Sequence, residues 1–177
     1  MSEVCGGDRR FPEALGAVAR TGFDYDDGRG IDFEPYDAFE SAGETTDWLR
    51  SWTGNEELDG DAFRIFGQDG SGGLAALWCV REGQPLDAQP VVFLSSEGER
   101  GVIAGSLSDF LWVLADGVGP MEVVLFGALE GEGRANAGLT ALAERYATTP
   151  RRPAREIVAE AAAEFPGFSD AVDALCR

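Results

Sequence analysis

Two features of the chain carry residue types that could do chemistry: the stretch FGQDGSGG, Phe66 to Gly73, and a crowd of carboxylates between Thr21 and Asp61. A glycine-rich run can cradle phosphate when a strand enters it, a helix leaves it and a lysine closes it. Here the run leads into LAALWCV, which reads as a strand, and the chain has no lysine. A calcium loop needs oxygen ligands at fixed spacing that end in a bidentate glutamate. The twelfth position counted from Asp69 is Val80, and counted from Asp24 it is Pro35. The glycines are therefore read as a hairpin turn in which they supply positive φ angles, and no metal or cofactor is expected.

The chain also lacks histidine. That removes the usual general base at neutral pH and the usual transition-metal ligand, so Ser/His/Asp, Cys/His and His-based zinc chemistry are excluded. Carboxylate pairs can still act as acid and base, and Glu97 and Glu99 in SSEGE sit together on a turn between strands. Abundance of acids is no evidence of catalysis, and no catalytic residue is assigned. A carboxylate-dependent metal enzyme stays as an alternative that needs clustered acids and a bound divalent cation.

Charge is the stronger signal. A formal net charge of -18 repels phosphate backbones and anionic membranes and draws the chain toward cationic surfaces, so neither nucleic acid nor membrane is expected as a partner. Thirteen carboxylates against two arginines lie between Thr21 and Asp61, whereas the chain from Met121 on has nine acids against six arginines. Uniform solubility does not require that asymmetry. The segment FDYDDGRGIDFEPYDAF alternates aromatic and acidic residues, joining interface-anchor types to steering charge. The candidate partner-binding residues are Asp24, Tyr25, Asp26, Asp27, Asp32, Glu34, Tyr36 and Asp37, with Glu97 and Glu99. The oligomeric state is not legible in the sequence.

The elements that must position these residues follow from local patterns. RRFPEALGAVAR puts Phe11, Leu15 and Val18 on one helical face, and Ser41 with Glu44 forms a capping box ahead of a helix from about Thr45 to Trp52 that Gly54 stops. AFRIFGQ and GGLAALWCV make one hairpin; QPVVFLSS and RGVIAG make another. SLSDFLWVLADG is a helix capped by Ser106, with Leu107, Phe110, Leu111 and Leu114 at helical spacing and Gly117 at its exit. MEVVLFGAL reads as a further strand, followed by two or three C-terminal helices. Three cysteines without a close pair read as reduced thiols, with Cys79 in the core; no apolar run has the ~18 residues of a membrane span and the start resembles no secretory signal, so the chain is expected in the cytoplasm.

The ordered set from Phe63 to Gly117, FRIFGQDGSGGLAALWCV followed by QPVVFLSSEGERGVIAGSLSDFLWVLADG, resembles the core signature of the SUKH superfamily. EPYDAFESAGETTDWLRSWTGN resembles the lead-in of an actinobacterial-type branch of it. The likeness departs at Ser95, where glycine is expected, and does not reach beyond Pro120. It implies a single α+β domain over 1–177, with a central, mostly antiparallel sheet of about four to six strands packed by helices. An acidic N-terminal region, 21–61, precedes the signature, and a C-terminal helical extension, 120–177, follows it. It implies a non-enzymatic immunity protein that neutralises a toxin, many such toxins being nucleases, by binding its basic surface; the alternative is a regulatory or scaffold module with an endogenous cytoplasmic partner.

Overall fold

In a computed structural model, which describes residues 7–28, 30–127 and 135–177, the apolar runs in the middle of the chain form two antiparallel hairpins. β2 (Phe63–Gln68) pairs with β3 (Leu74–Trp78), and β4 (Val91–Leu94) with β5 (Arg100–Ala104); a β3–β4 ladder joins the two. β1 (Glu34–Pro35) adds a short edge, giving an open five-stranded antiparallel sheet in the order β1-β2-β3-β4-β5. The α+β class expected from the sequence is the one observed.

An antiparallel sheet with one wet face alternates apolar and polar residues; LAALW and VVFL do not, because helices cover both sides. Ala75, Leu77, Val91, Phe93 and Ile103 face α1 (Glu13–Ala19) and α3 (Leu107–Ala115). Leu74, Ala76, Val92, Leu94 and Val102 face Leu49 of α2 (Ala42–Thr53) and Phe168 and Val172 of α7 (Phe168–Asp173). Phe66 bulges out of register between Ile65 and Gly67 and meets Phe33 and Phe110 edge to face. Each such buried ring contributes on the order of 1.5–3 kcal/mol of transfer free energy.

The helix signals are realised locally. Ser41 Oγ accepts the Glu44 N–H while the Glu44 carboxylate accepts the Ser41 N–H, and Gly54 ends α2 at φ 71°. Ser106 Oγ caps α3 through the Asp109 N–H. α3 buries Trp112, Val113 and Ala115 as well as the predicted stripe, because α5 (Ala137–Tyr146) lies across its other side. α6 (Ala154–Glu164) starts in the first core with Ala154 and Ile157 and ends in the second with Ala161. The segment read as a C-terminal extension thus supplies helices to both layers.

MEVVLFGAL is a correction. Its described part is not a strand but a helix, α4 (Pro120–Phe126), with Gly119 as N-cap and Pro120 at the first helical position, where its missing N–H costs nothing. Pro120, Met121 and Val123 are buried at this spacing, so tertiary packing overrides the β preference of the Val-Val pair. The cysteines are a second correction: Cys176 is free and exposed, whereas Cys79 is buried and disulfide-bonded.

Candidate protein-binding surface

Asp69, read from the sequence as part of a mere bend, organises the β2–β3 turn. It is 3% exposed, and its Oδ1 accepts the N–H groups of Ser71 (2.9 Å) and Gly73 (2.8 Å) and the Ser71 hydroxyl (2.8 Å). Of the turn's glycines only Gly72 has a positive φ, 90°. Gly73 is needed for room instead, since a Cβ there would lie 2.6 Å from the Phe93 ring, and so is Gly67 in β2, at 2.5 Å from the Phe33 ring.

Both hairpin turns lie at one end of the sheet, where Ser71 Oγ meets Ser96 Oγ at 3.2 Å. On one flank the Asp32 carboxylate accepts the Gly70 N–H at 2.9 Å, and on the other the turn 95–99 carries Glu97 and Glu99. The Ser95 hydroxyl is shared between Glu99 Oε2 (3.0 Å) and the Glu97 N–H (3.1 Å). Asp32, Glu97 and Glu99, distant in sequence, therefore belong to one end of the molecule.

The remaining predicted residues run away from that end. The loop from Asp24 closes on itself, with Ile31 N donating to Asp24 O and Asp24 Oδ1 accepting the Asp26 N–H at 2.8 Å. Asp26 and Asp27 hold left-handed conformations, φ 45° and 52°, which aspartate tolerates better than most residues. Tyr25 projects outward, 55% exposed. Next, residues 34–40 run along the outer edge of β2: Tyr36 N donates to Phe66 O and Glu40 N to Ile65 O. Phe23, Phe33 and Phe39 turn into the first core and Tyr36 into the second, while Glu34 and Asp37 face solvent. The Tyr36 hydroxyl donates to Gln68 Oε1 (2.9 Å), and Gln68 Nε2 donates to Glu34 Oε2 (3.0 Å).

Further acids belong to this surface that sequence reasoning did not single out. Glu40 and Glu44 line an open groove of about 720 Å³ with Tyr36 and Asp37. Burial, then the neighbouring Glu44, pushes the Glu40 carboxyl above its ordinary range, and burial with the charges of Glu40, Glu34 and Glu44 pushes the Tyr36 phenol up. Glu122 of α4 accepts the Asp32 N–H at 2.7 Å. Its role was hidden by the misread helix; the Asp69 turn could have been found from the D-G-S-G pattern, since aspartate commonly bonds the backbone two residues on.

Comparison with family models, curated proteins and solved structures finds no match in any of the three. The chemistry must therefore be judged from the residues themselves. A second concavity, a cleft of about 590 Å³ between residues 8–14, the 85–88 turn, the start of α3 and the linker after α5, is floored by Phe11, Leu86, Leu107 and Leu111. Its Ser108 hydroxyl accepts the N–H groups of Thr148 (2.9 Å) and Thr149 (3.0 Å) and contacts Thr149 Oγ1, which donates to Asp109. This is a staple that fastens the linker to α3. Among the described residues no group of three or more metal-ligating side chains is gathered, and no helix is long and apolar enough to cross a membrane.

Proposed function

We propose that this chain is a non-enzymatic binding protein that neutralises a toxin by covering its basic surface, in the manner the SUKH resemblance implies. The observation that carries the reading is the edge segment 23–40: its phenylalanines are spent on the core, while the carboxylates of Asp24, Asp26, Asp27, Glu34 and Asp37 face solvent along the flank that runs away from the 95–99 turn. An acidic face of this kind raises the encounter rate with a cationic cleft by ~10- to 10³-fold, and a nuclease must carry such a cleft to hold its own substrate. The sequence supports action in the cytoplasm of the cell that makes the protein, whereas the disulfide at Cys79 favours an oxidising compartment; cell fractionation decides between the two.

The test is whether a toxin gene lies beside this chain's gene and whether its toxin domain binds the chain. Asp24 and Asp32 also hold their own loops together, so the informative variant is Asp27→Asn/Asp37→Asn/Glu97→Gln, whose exposed carboxylates hold no hydrogen bond or ion pair among the described residues. It should fold normally, associate more slowly and lose part of the salt dependence. Unchanged association at every salt concentration would remove the surface from the interface. A regulatory or scaffold module would use the same surface for an endogenous partner, and recovery of a cytoplasmic protein in place of a toxin would favour it.

A further inference from the structure

We propose that the half-exposed flank of α2 formed by Glu44, Trp48 and Trp52 is a docking strip for an arginine-bearing segment of a basic protein. The proposal rests on the reading above but moves the anchoring contacts from the 24–37 loop to this helix. Glu44, Trp48 and Trp52 recur every four residues and so share one face. The two indoles stack, with centroids 5.5 Å apart and planes 16° from parallel, and both are half-buried against the second core. The Trp52 Nε1–H donates to Ser95 O at 2.9 Å, which fixes the ring and ties it to the turn bearing Glu97 and Glu99. At the other end of the strip Glu44 lies beside Tyr36, in the wall of the 720 Å³ groove; among the described residues no arginine lines that groove, and nearby Arg9 is held by Glu40 O at 2.8 Å.

The result is a rigid aromatic platform with carboxylates at both ends. Indole faces attract guanidinium, whose weakly hydrated plane stacks better than a lysine ammonium, and Trp and Tyr are the residue types that dominate interfaces. Among the described residues no guanidinium stacks on Trp48 or Trp52, and Arg50, the single basic residue of α2, gives its Nε–H to Leu58 O at 2.7 Å. A second copy is a poor occupant, because it brings another -18 of charge.

The experiment titrates the intact protein with nona-arginine and nona-lysine peptides at about 150 mM salt, where long-range attraction is largely screened. Affinity is read calorimetrically and the four indole N–H signals by NMR. The arginine peptide should bind about 5-fold more tightly than the lysine peptide. The signals of Trp48 and Trp52 should move while those of Trp78 and Trp112 stay. Trp48→Leu should abolish the arginine preference and leave the weaker, charge-driven binding. If that variant does not fold, Glu44→Gln serves in its place, because glutamine preserves a capping box, and it should weaken the arginine peptide about 2-fold. Equal binding of the two peptides, or shifts that spare Trp48 and Trp52, would overturn the strip while leaving the basic-partner reading intact. No binding of either peptide would sink both.

Discussion

Glu122 Oε1 accepts the backbone N–H of Asp32 at 2.7 Å, and the Asp32 carboxylate in turn accepts the Gly70 N–H. Among the described residues the other Glu122 oxygen is buried without a hydrogen-bond partner of good geometry. Burial, helped by the Asp32 charge, outweighs the stabilising backbone N–H groups of Asp32, Glu122 and Gly119 and holds this carboxyl above its ordinary value of 4.5. The folded chain therefore binds the proton more tightly than the unfolded chain. That contribution to stability is complete below pH 4.5 and is lost as pH rises through the raised folded value. Glu122→Gln keeps an acceptor for the Asp32 N–H but never ionises. It should gain stability relative to the parent as pH rises across that window, measured by urea unfolding of both proteins at a series of pH values from about 4 to 7. A difference that does not vary with pH would refute the linkage.

Asp69 should be a stability hot spot with no binding phenotype of its own. Asp69→Ala strips the acceptor from three donors, one of them the buried Gly73 N–H, and is expected to cost about 2–4 kcal/mol. Asp69→Asn retains an oxygen in the same place and should cost less than half as much. Equilibrium denaturation of both variants gives the comparison.

Two glycines should respond to alanine for different reasons. At Gly67 a methyl group meets the Phe33 ring at 2.5 Å, so Gly67→Ala overpacks the core and should cost about 1–3 kcal/mol. At Gly72 there is open space but φ is 90°, so Gly72→Ala strains only the backbone, by about 1 kcal/mol. Thermal unfolding should therefore rank Gly67→Ala as the more damaging.

Ser108→Ala leaves the Thr148 and Thr149 N–H groups without their acceptor and should destabilise the protein by about 1–3 kcal/mol. Hydrogen exchange should speed up at those two amides first, before the sheet is affected. Uniform acceleration across the chain would mean the linker and the core open together.

What was legible in the sequence depended on range. The helices α2 and α3 announce themselves through Ser41 with Glu44 and Ser106 with Asp109, groups that bond within four residues of each other. The hairpins are equally local. α4 was misread because its helical register is decided by where Met121 and Val123 pack, although Pro120 marked its start. The same division runs through the binding surface. That the carboxylates of 24–37 face water could be inferred from their alternation with aromatics. Asp32 bonding Gly70, Glu34 bonding Gln68 and Trp52 bonding Ser95 span 34 to 43 residues and have no local signature. Trp48 and Trp52 sit at helical spacing in an apolar pattern, and spacing alone does not distinguish a wholly buried ring from a half-buried one.

The path of residues 34–40 along β2 limits how any visitor can be held. Pro35 has no N–H to offer, and the amides of Tyr36 and Glu40 are already committed to Phe66 and Ile65. The missing donor at Pro35 interrupts the row of backbone groups an incoming chain would meet on this flank, which disfavours docking by lengthening the sheet. Affinity then leans on what side chains offer, which favours selection by composition over stacking with copies of itself along that margin.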